Sequence, residues 1–283
     1  MRLANLVWCD LKNGLIKNCL FYVVTLMLFV FYSAALSFMK IFKVSASGGL
    51  VSELTFGDYA INVFWGMKEY VYDPRDPFTY PALWMLTILL VAYFSISFPY
   101  KDLMGVGKHL LVASGSRYLW WFSKCIWVLL SILVFFLTAA AALVLWTLLT
   151  GGTLSFDISP GLPALLGVDE FLLKPWPWDV RAFFVSMILI ITSLCLAQLL
   201  VSLILRPLFS FMLIVSVLLM SAYFQSPFLL GNFTMGARSA VFLTSGIDPY
   251  QGIVVGLCLC IGVTVTGALV FKQMDILNRE KLI

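Results

Sequence analysis

Charge and histidine are the scarcest things in this chain. Only 11% of its 283 residues are Asp, Glu, Lys or Arg, and His109 is the single histidine. One histidine excludes most multi-histidine metal centres, and neither H-E-x-x-H nor G-x-S-x-G occurs. A nucleotide-binding loop is missing too. Gly105-Val106-Gly107-Lys108-His109 lacks the earlier glycine and the hydroxyl after lysine that G-x-x-x-x-G-K-[ST] requires. No catalytic residue, metal site or cofactor is therefore expected in the chain itself. The six cysteines (Cys9, Cys19, Cys125, Cys195, Cys258 and Cys260) are scattered, and the last two sit in an apolar run, so no disulfide framework is predicted. A net charge of +4 leaves no electrostatic footprint for nucleic acid.

What remains is apolar. Hydrophobic residues make up 62% of the chain and the mean hydropathy is +1.01, too much apolar surface for water to cover. Lipid is the solvent that fits. Six apolar runs, 19–39, 82–98, 125–149, 182–205, 207–226 and 251–271, contain no charge, each near the ~20 residues a bilayer requires. The third span is read from 119, giving 119–149. Arg206-Pro207 divides the fourth run from the fifth; one continuous helix of about 45 residues would be roughly 67 Å long, so a hairpin is predicted. The fold class is an all-α polytopic membrane protein, one domain over 1–283. No cleavable signal peptide is expected, because a polar amphipathic stretch precedes the first run.

Orientation follows from Lys and Arg. With both termini inside, eleven fall on the inner side and seven on the outer, which predicts cytoplasmic termini. Residues 1–18 put Leu3, Leu6, Val7, Leu11 and Leu15 on one helical face, with Asp10, Lys12, Asn13 and Lys17 elsewhere. This predicts a helix lying in the interface, in contact with membrane lipid. The stretches Asp73–Pro81 and Lys174–Trp178 are rich in proline and aromatics and read as anchors at the outer ends of spans. Residues 226–250 are apolar but broken by Pro227, Gly231, Gly236, Gly246 and Pro249, so two short re-entrant pieces on the outer side are predicted.

The spans offer Gln198, serines such as Ser202 and Ser221, and threonines as polar pathway candidates, but nothing titratable. Proton-coupled carriers need such groups in the membrane, whereas sodium coupling through carbonyls and hydroxyls stays open. The loop 99–127 is the charged exception. Lys101, Asp102, Lys108, His109, Arg117 and Lys124 alternate there with Leu103, Met104, Leu110 and Leu111. Such a mixture suits a short amphipathic helix that docks on another protein or lies on anionic lipid. His109 reads as a solvated residue of this loop.

Several short motifs occur in an order that resembles the type-two ABC transporter permeases (type V ABC exporter architecture), especially Firmicutes-like members. They are Asp10–Leu15, Phe56-Gly57-Asp58-Tyr59 with Gly66-Met67-Lys68, Pro77-Phe78 with Pro81 and Leu83-Trp84, and Pro99–Leu103. Ser116-Arg117 with Trp120-Trp121 and Ser123–Trp127, then Gly231-Asn232, Met235 and Arg238-Ser239, complete the set. Gly115 departs from the pattern, which often has a more basic residue there. The resemblance implies a coupling region over 100–117 (Lys101, Asp102, Leu103, Lys108, His109, Leu110, Leu111, Arg117) that seats on a separate ABC ATPase subunit carrying ATP and Mg. It also implies an outer gate at Gly231, Asn232, Met235 and Arg238, a second permease chain completing the pore, and a bacterial inner-membrane location. The expected cargo is hydrophobic or amphipathic: peptide, antibiotic or lipid-like. The alternatives are a secondary carrier or channel without an ATPase, and a non-transporting assembly or sensor protein.

Overall fold

The computed structural model describes residues 3–14, 19–47, 53–72, 74–75, 78–104, 116–168 and 172–273, with backbone alone at 44–47 and 103–104. Among them there is no β-strand, only helices, turns and three isolated bridges. In chain order the α-helices are α1 (Leu3–Gly14), α2 (Cys19–Ser47), α3 (Phe56–Val63), α4 (Ala82–Met104) and α5 (Arg117–Leu149). They continue with α6 (Leu162–Leu165), α7 (Arg181–Ile204), α8 (Pro207–Tyr223) and α9 (Pro249–Gln273). Two 3₁₀ turns, Leu230–Thr234 and Gly236–Arg238, lie between α8 and α9.

Five of these helices, α2, α4, α5, α7 and α9, are long and apolar enough to cross a membrane; α8, at 17 residues, falls short of that set. The count of six spans is corrected to five such helices and a shorter apolar one. The fifth apolar run, 207–226, overshoots its helix, which stops at Tyr223, where Arg238 takes the Ser221 and Ala222 carbonyls. The hairpin at Arg206-Pro207 is present as predicted, with α7 ending at Ile204 and Pro207 opening α8. Beyond Pro99 the structure differs again: α4 runs through the proline to Met104, so the coupling region begins inside a helix.

α7 is the most buried of the five long helices and α9 the least. α7 packs on α4, α8 and α9, and α5 receives α1, α2 and α9. One contiguous apolar core results. Where α9 meets α5, the Trp121 ring lies over Gly267, its indole N–H donates to the Thr264 carbonyl (2.9 Å), and Trp120 stacks on Phe271 at 4.8 Å. A Cβ at 267 would enter the Trp121 ring, so this crossing requires glycine.

The bundle has two unlike ends. One carries α1, the C-terminus of α4 and the N-terminus of α5. The other is a cap built from 53–68, 150–168, 172–180 and 224–248. In the cap, Thr55 and Asp58 form a capping box that starts α3, and Ser159 donates through N (2.9 Å) and Oγ (2.5 Å) to the Asp58 carboxylate. Lys43 at the end of α2 donates to the Ala164 and Leu165 carbonyls of α6. Gly66, at φ 70°, turns the chain so that Phe64 and Trp65 offer carbonyls to the Gly236 and Ala237 amides. Of the aromatic anchors, Trp178 faces inward on Phe242, 5.6 Å between rings, whereas Trp176 is exposed with its indole N–H on the Ile158 carbonyl.

Candidate functional site

At the α1 end, three charges meet out of water. Lys124 Nζ lies 2.5 Å from Asp10 Oδ1 and 2.6 Å from Asp102 Oδ2, and Ser123 Oγ donates to Asp10 Oδ2 at 2.5 Å. The side chains of Lys124, Asp10 and Asp102 are 1%, 4% and 11% exposed, so these are interior ions and not surface pairs. The ammonium also sits over the Phe98 and Trp120 rings, at 5.0 and 5.2 Å. Burial is the larger influence on Asp10 and pushes its carboxyl above the usual range, against the pull of Lys124 and Ser123. The cluster fastens α1, the end of α4 and the start of α5 to one another.

It also revises two expectations. Asp10, assigned to the polar face of α1, is at the centre of the buried face with Leu6 and Gly14. Its charge is neutralised by Lys124, which is why apolar spacing alone misplaced it. Lys124 lies inside the third span as read from 119, so the spans are not without titratable groups. Of the predicted coupling residues, Lys101 is exposed and Asp102 turns inward to Lys124. Leu103 belongs to α4, and Arg117 opens α5 with Nη1 donating to the Lys272 carbonyl at the end of α9 (2.8 Å). Lys108, His109, Leu110 and Leu111 lie outside the described residues.

The predicted gate residues come together in the cap. Arg238 is fully buried and donates to five backbone carbonyls: Met67 (3.0 Å), Lys68 (3.2 Å), Ala222 (2.7 Å), Phe224 (3.1 Å) and Ser221. It also reaches Asn232 Oδ1 at 2.5 Å, and Asn232 Nδ2 in turn donates to the Phe224 and Ser226 carbonyls at 2.9 and 2.8 Å. These carbonyls include the last ones of α8, which have no partner within the helix, and a cation there complements the helix dipole. Burial pulls the guanidinium down to about 10, which leaves it charged at neutral pH. Gly231 presses on Ser221 and Trp84, Met235 is buried against Gly66, and the Trp84 indole donates to Thr234 Oγ1 at 2.8 Å. The expected re-entrant pieces are therefore two 3₁₀ turns clamped by one arginine.

The pathway candidates are not brought together. Gln198 and Ser202 lie one turn apart on α7, while Ser221 sits at the cap end of α8. Ser202 and Ser221 bond carbonyls of their own helices, at Leu199 and Val217. Gln198 is buried with both amide atoms lacking a hydrogen-bond partner among the described residues. No family model, curated protein or solved structure matches this chain.

Two functional-looking groups escaped sequence reasoning. The Thr55-x-x-Asp58 pattern is itself a local capping signal, legible in the sequence. The meeting of Asp10 with Lys124, 114 positions apart, has no local signature.

Proposed function

We propose that the chain is the membrane-spanning permease subunit of an ATP-driven exporter, of the type-two ABC permease kind, with α8 as a sixth, short span. A 17-residue helix is about 26 Å long and meets the lower bound of what a bilayer accepts. Both termini would face the cytoplasm of a bacterial cell, and a second permease chain would complete the pore.

One observation carries this reading: the buried Lys124–Asp10–Asp102 cluster at the root of the 100–117 loop. A coupling segment must transmit force to the spans. Asp102 at the start of this region and Lys124 just beyond its end hold it to α1, α4 and α5 through charges that are costly to separate in a low-dielectric interior. A push on the loop is then delivered to three helices together. The partner is an ABC ATPase subunit that binds ATP and Mg. The cargo is hydrophobic or amphipathic, because a strongly charged solute would be desolvated without compensation.

The test is reconstitution of this chain with candidate ABC ATPase subunits co-expressed with it. ATP-dependent export of an amphipathic cargo, together with loss of ATPase co-purification in Leu110→Asp/Leu111→Asp, is the expected result. Flux driven by an ion gradient with no ATPase present would sink the proposal.

The same cluster favours a second reading, a proton-coupled secondary carrier, since buried ionisable groups within spans mark proton paths. That reading predicts flux driven by a pH gradient alone and lost in Asp10→Asn.

A further inference from the structure

A groove of about 800 Å³ runs between the segment 227–233 and the first half of α9. Its floor is apolar, formed by Leu230, Phe233, Val254 and Val255, among others; Asp248, Gln251 and Tyr250 also line it. Such a volume lies within the roughly 300–1,000 Å³ of small-molecule sites. Apolar walls alone would require nothing but lipid tails. The polar residues change that.

Asp248 precedes α9, where its Oδ1 accepts the Tyr250 amide at 3.0 Å. No Lys or Arg approaches its carboxylate within ion-pair distance among the described residues. Gln251 is exposed beside it on the first turn of α9. Two aromatic side chains of the groove, Phe228 and Tyr250, are 92% and 67% exposed, so their ring faces are available. An unpaired carboxylate with open aromatic faces is the chemistry that holds an ammonium group, and the apolar floor is what holds a chain.

We infer that this groove binds a cationic amphiphile, its ammonium head between Asp248 and the rings of Phe228 and Tyr250 and its hydrocarbon chain along Val254 and Val255. The site goes beyond the transport reading and stands whether or not the chain exports anything.

The probe is radiolabelled dodecyltrimethylammonium, bound to the full chain in lipid nanodiscs, with empty nanodiscs subtracted. Unlabelled dodecyltrimethylammonium should displace it about tenfold better than dodecyl maltoside or dodecyl sulfate of equal chain length, as expected for a cation held by a carboxylate and rings. Asp248→Asn should abolish that preference while leaving weak maltoside competition in place, and Val254→Trp should lower binding of all three. Equal displacement by the three amphiphiles on the wild-type protein would overturn the site. So would an unchanged preference in Asp248→Asn, or a signal no greater than that of empty nanodiscs. Should Asp248→Asn fail to fold, Tyr250→Leu serves in its place: it keeps apolar bulk, and an unaltered head-group preference in it is equally fatal.

Discussion

Lys124 has two carboxylates within 2.6 Å and almost no water, so its removal and its replacement are different experiments. Lys124→Met leaves Asp10 and Asp102 as uncompensated interior charges and is expected to destabilise the protein by about 3–5 kcal/mol. Adding Asp10→Asn and Asp102→Asn should recover most of that loss, because a neutral cluster of similar shape has no charge to desolvate. Thermal unfolding in detergent separates the two outcomes; equal loss in the single and triple variants would mean that packing, not charge, holds the site. Asp58 supplies the pH dependence. Burial lifts its carboxyl above the ordinary value of 3.8, against hydrogen bonds from Ser159 and Thr55. The folded form therefore retains a proton that the unfolded form has released. The stability this contributes is complete below 3.8 and is lost as pH rises through the folded-state value. Thermal stability of the wild type should accordingly fall as pH rises through that window, and Asp58→Asn, which cannot ionise, should flatten the change. An Asp58→Asn protein with the wild-type pH slope would assign the slope to another group.

At the scale of elements, the end of α8 is decided by residues that follow it. Arg238 and Asn232 accept the role of a cap for the Ser221, Ala222 and Phe224 carbonyls. Arg238→Met should release those carbonyls and loosen the 3₁₀ turns, seen as faster amide hydrogen exchange over 224–238 with α2 and α5 unchanged; Arg238→Lys should be intermediate, since one ammonium cannot reach carbonyls on both sides as a guanidinium fork does. Unaltered exchange in Arg238→Met would show that apolar packing at Met235 and Trp84 suffices. The same helix end explains what could be read in advance. Long charge-free runs, and a break at Arg206-Pro207, are local patterns, and lipid as solvent makes them decisive for α2, α4, α5, α7 and α9. The stop of α8 at Tyr223 is only partly local: Pro227 bars the helix from running on, but the cap for its last carbonyls comes from residues up to 17 positions away. Asp10 failed in the same manner: a helix reads as amphipathic by spacing, but the side that is buried depends on where a counter-charge lies in another helix. Gly231, Asn232, Met235 and Arg238 lie close in sequence and meet in the cap, while the caged guanidinium that joins them to Met67 and Lys68 has no local sequence signature.

The whole molecule is two dissimilar ends joined by a packed bundle, with interior ions at one end and a carbonyl-bound arginine at the other. Under the exporter reading, these ends do different work: the α1 end receives motion from the ATPase and the cap opens. A joint made of buried charges is stiff, because partial separation of the ions forfeits their attraction without restoring their hydration. The triple variant Asp10→Asn, Asp102→Asn, Lys124→Met retains the fold in the argument above but replaces this joint by neutral contacts. It should therefore keep ATPase binding and ATP hydrolysis by the partner, while cargo flux per ATP falls about tenfold, within the range of roughly 1–3 kcal/mol typical of coupling between sites. Simultaneous measurement of phosphate release and cargo flux in proteoliposomes gives that ratio directly. If flux and hydrolysis fall together, the cluster serves assembly of the complex; if neither falls, force reaches the spans by another route and the α1 end loses its place in the mechanism. A fall in the ratio alone, with co-purification intact, is the result that assigns transmission to the three buried charges.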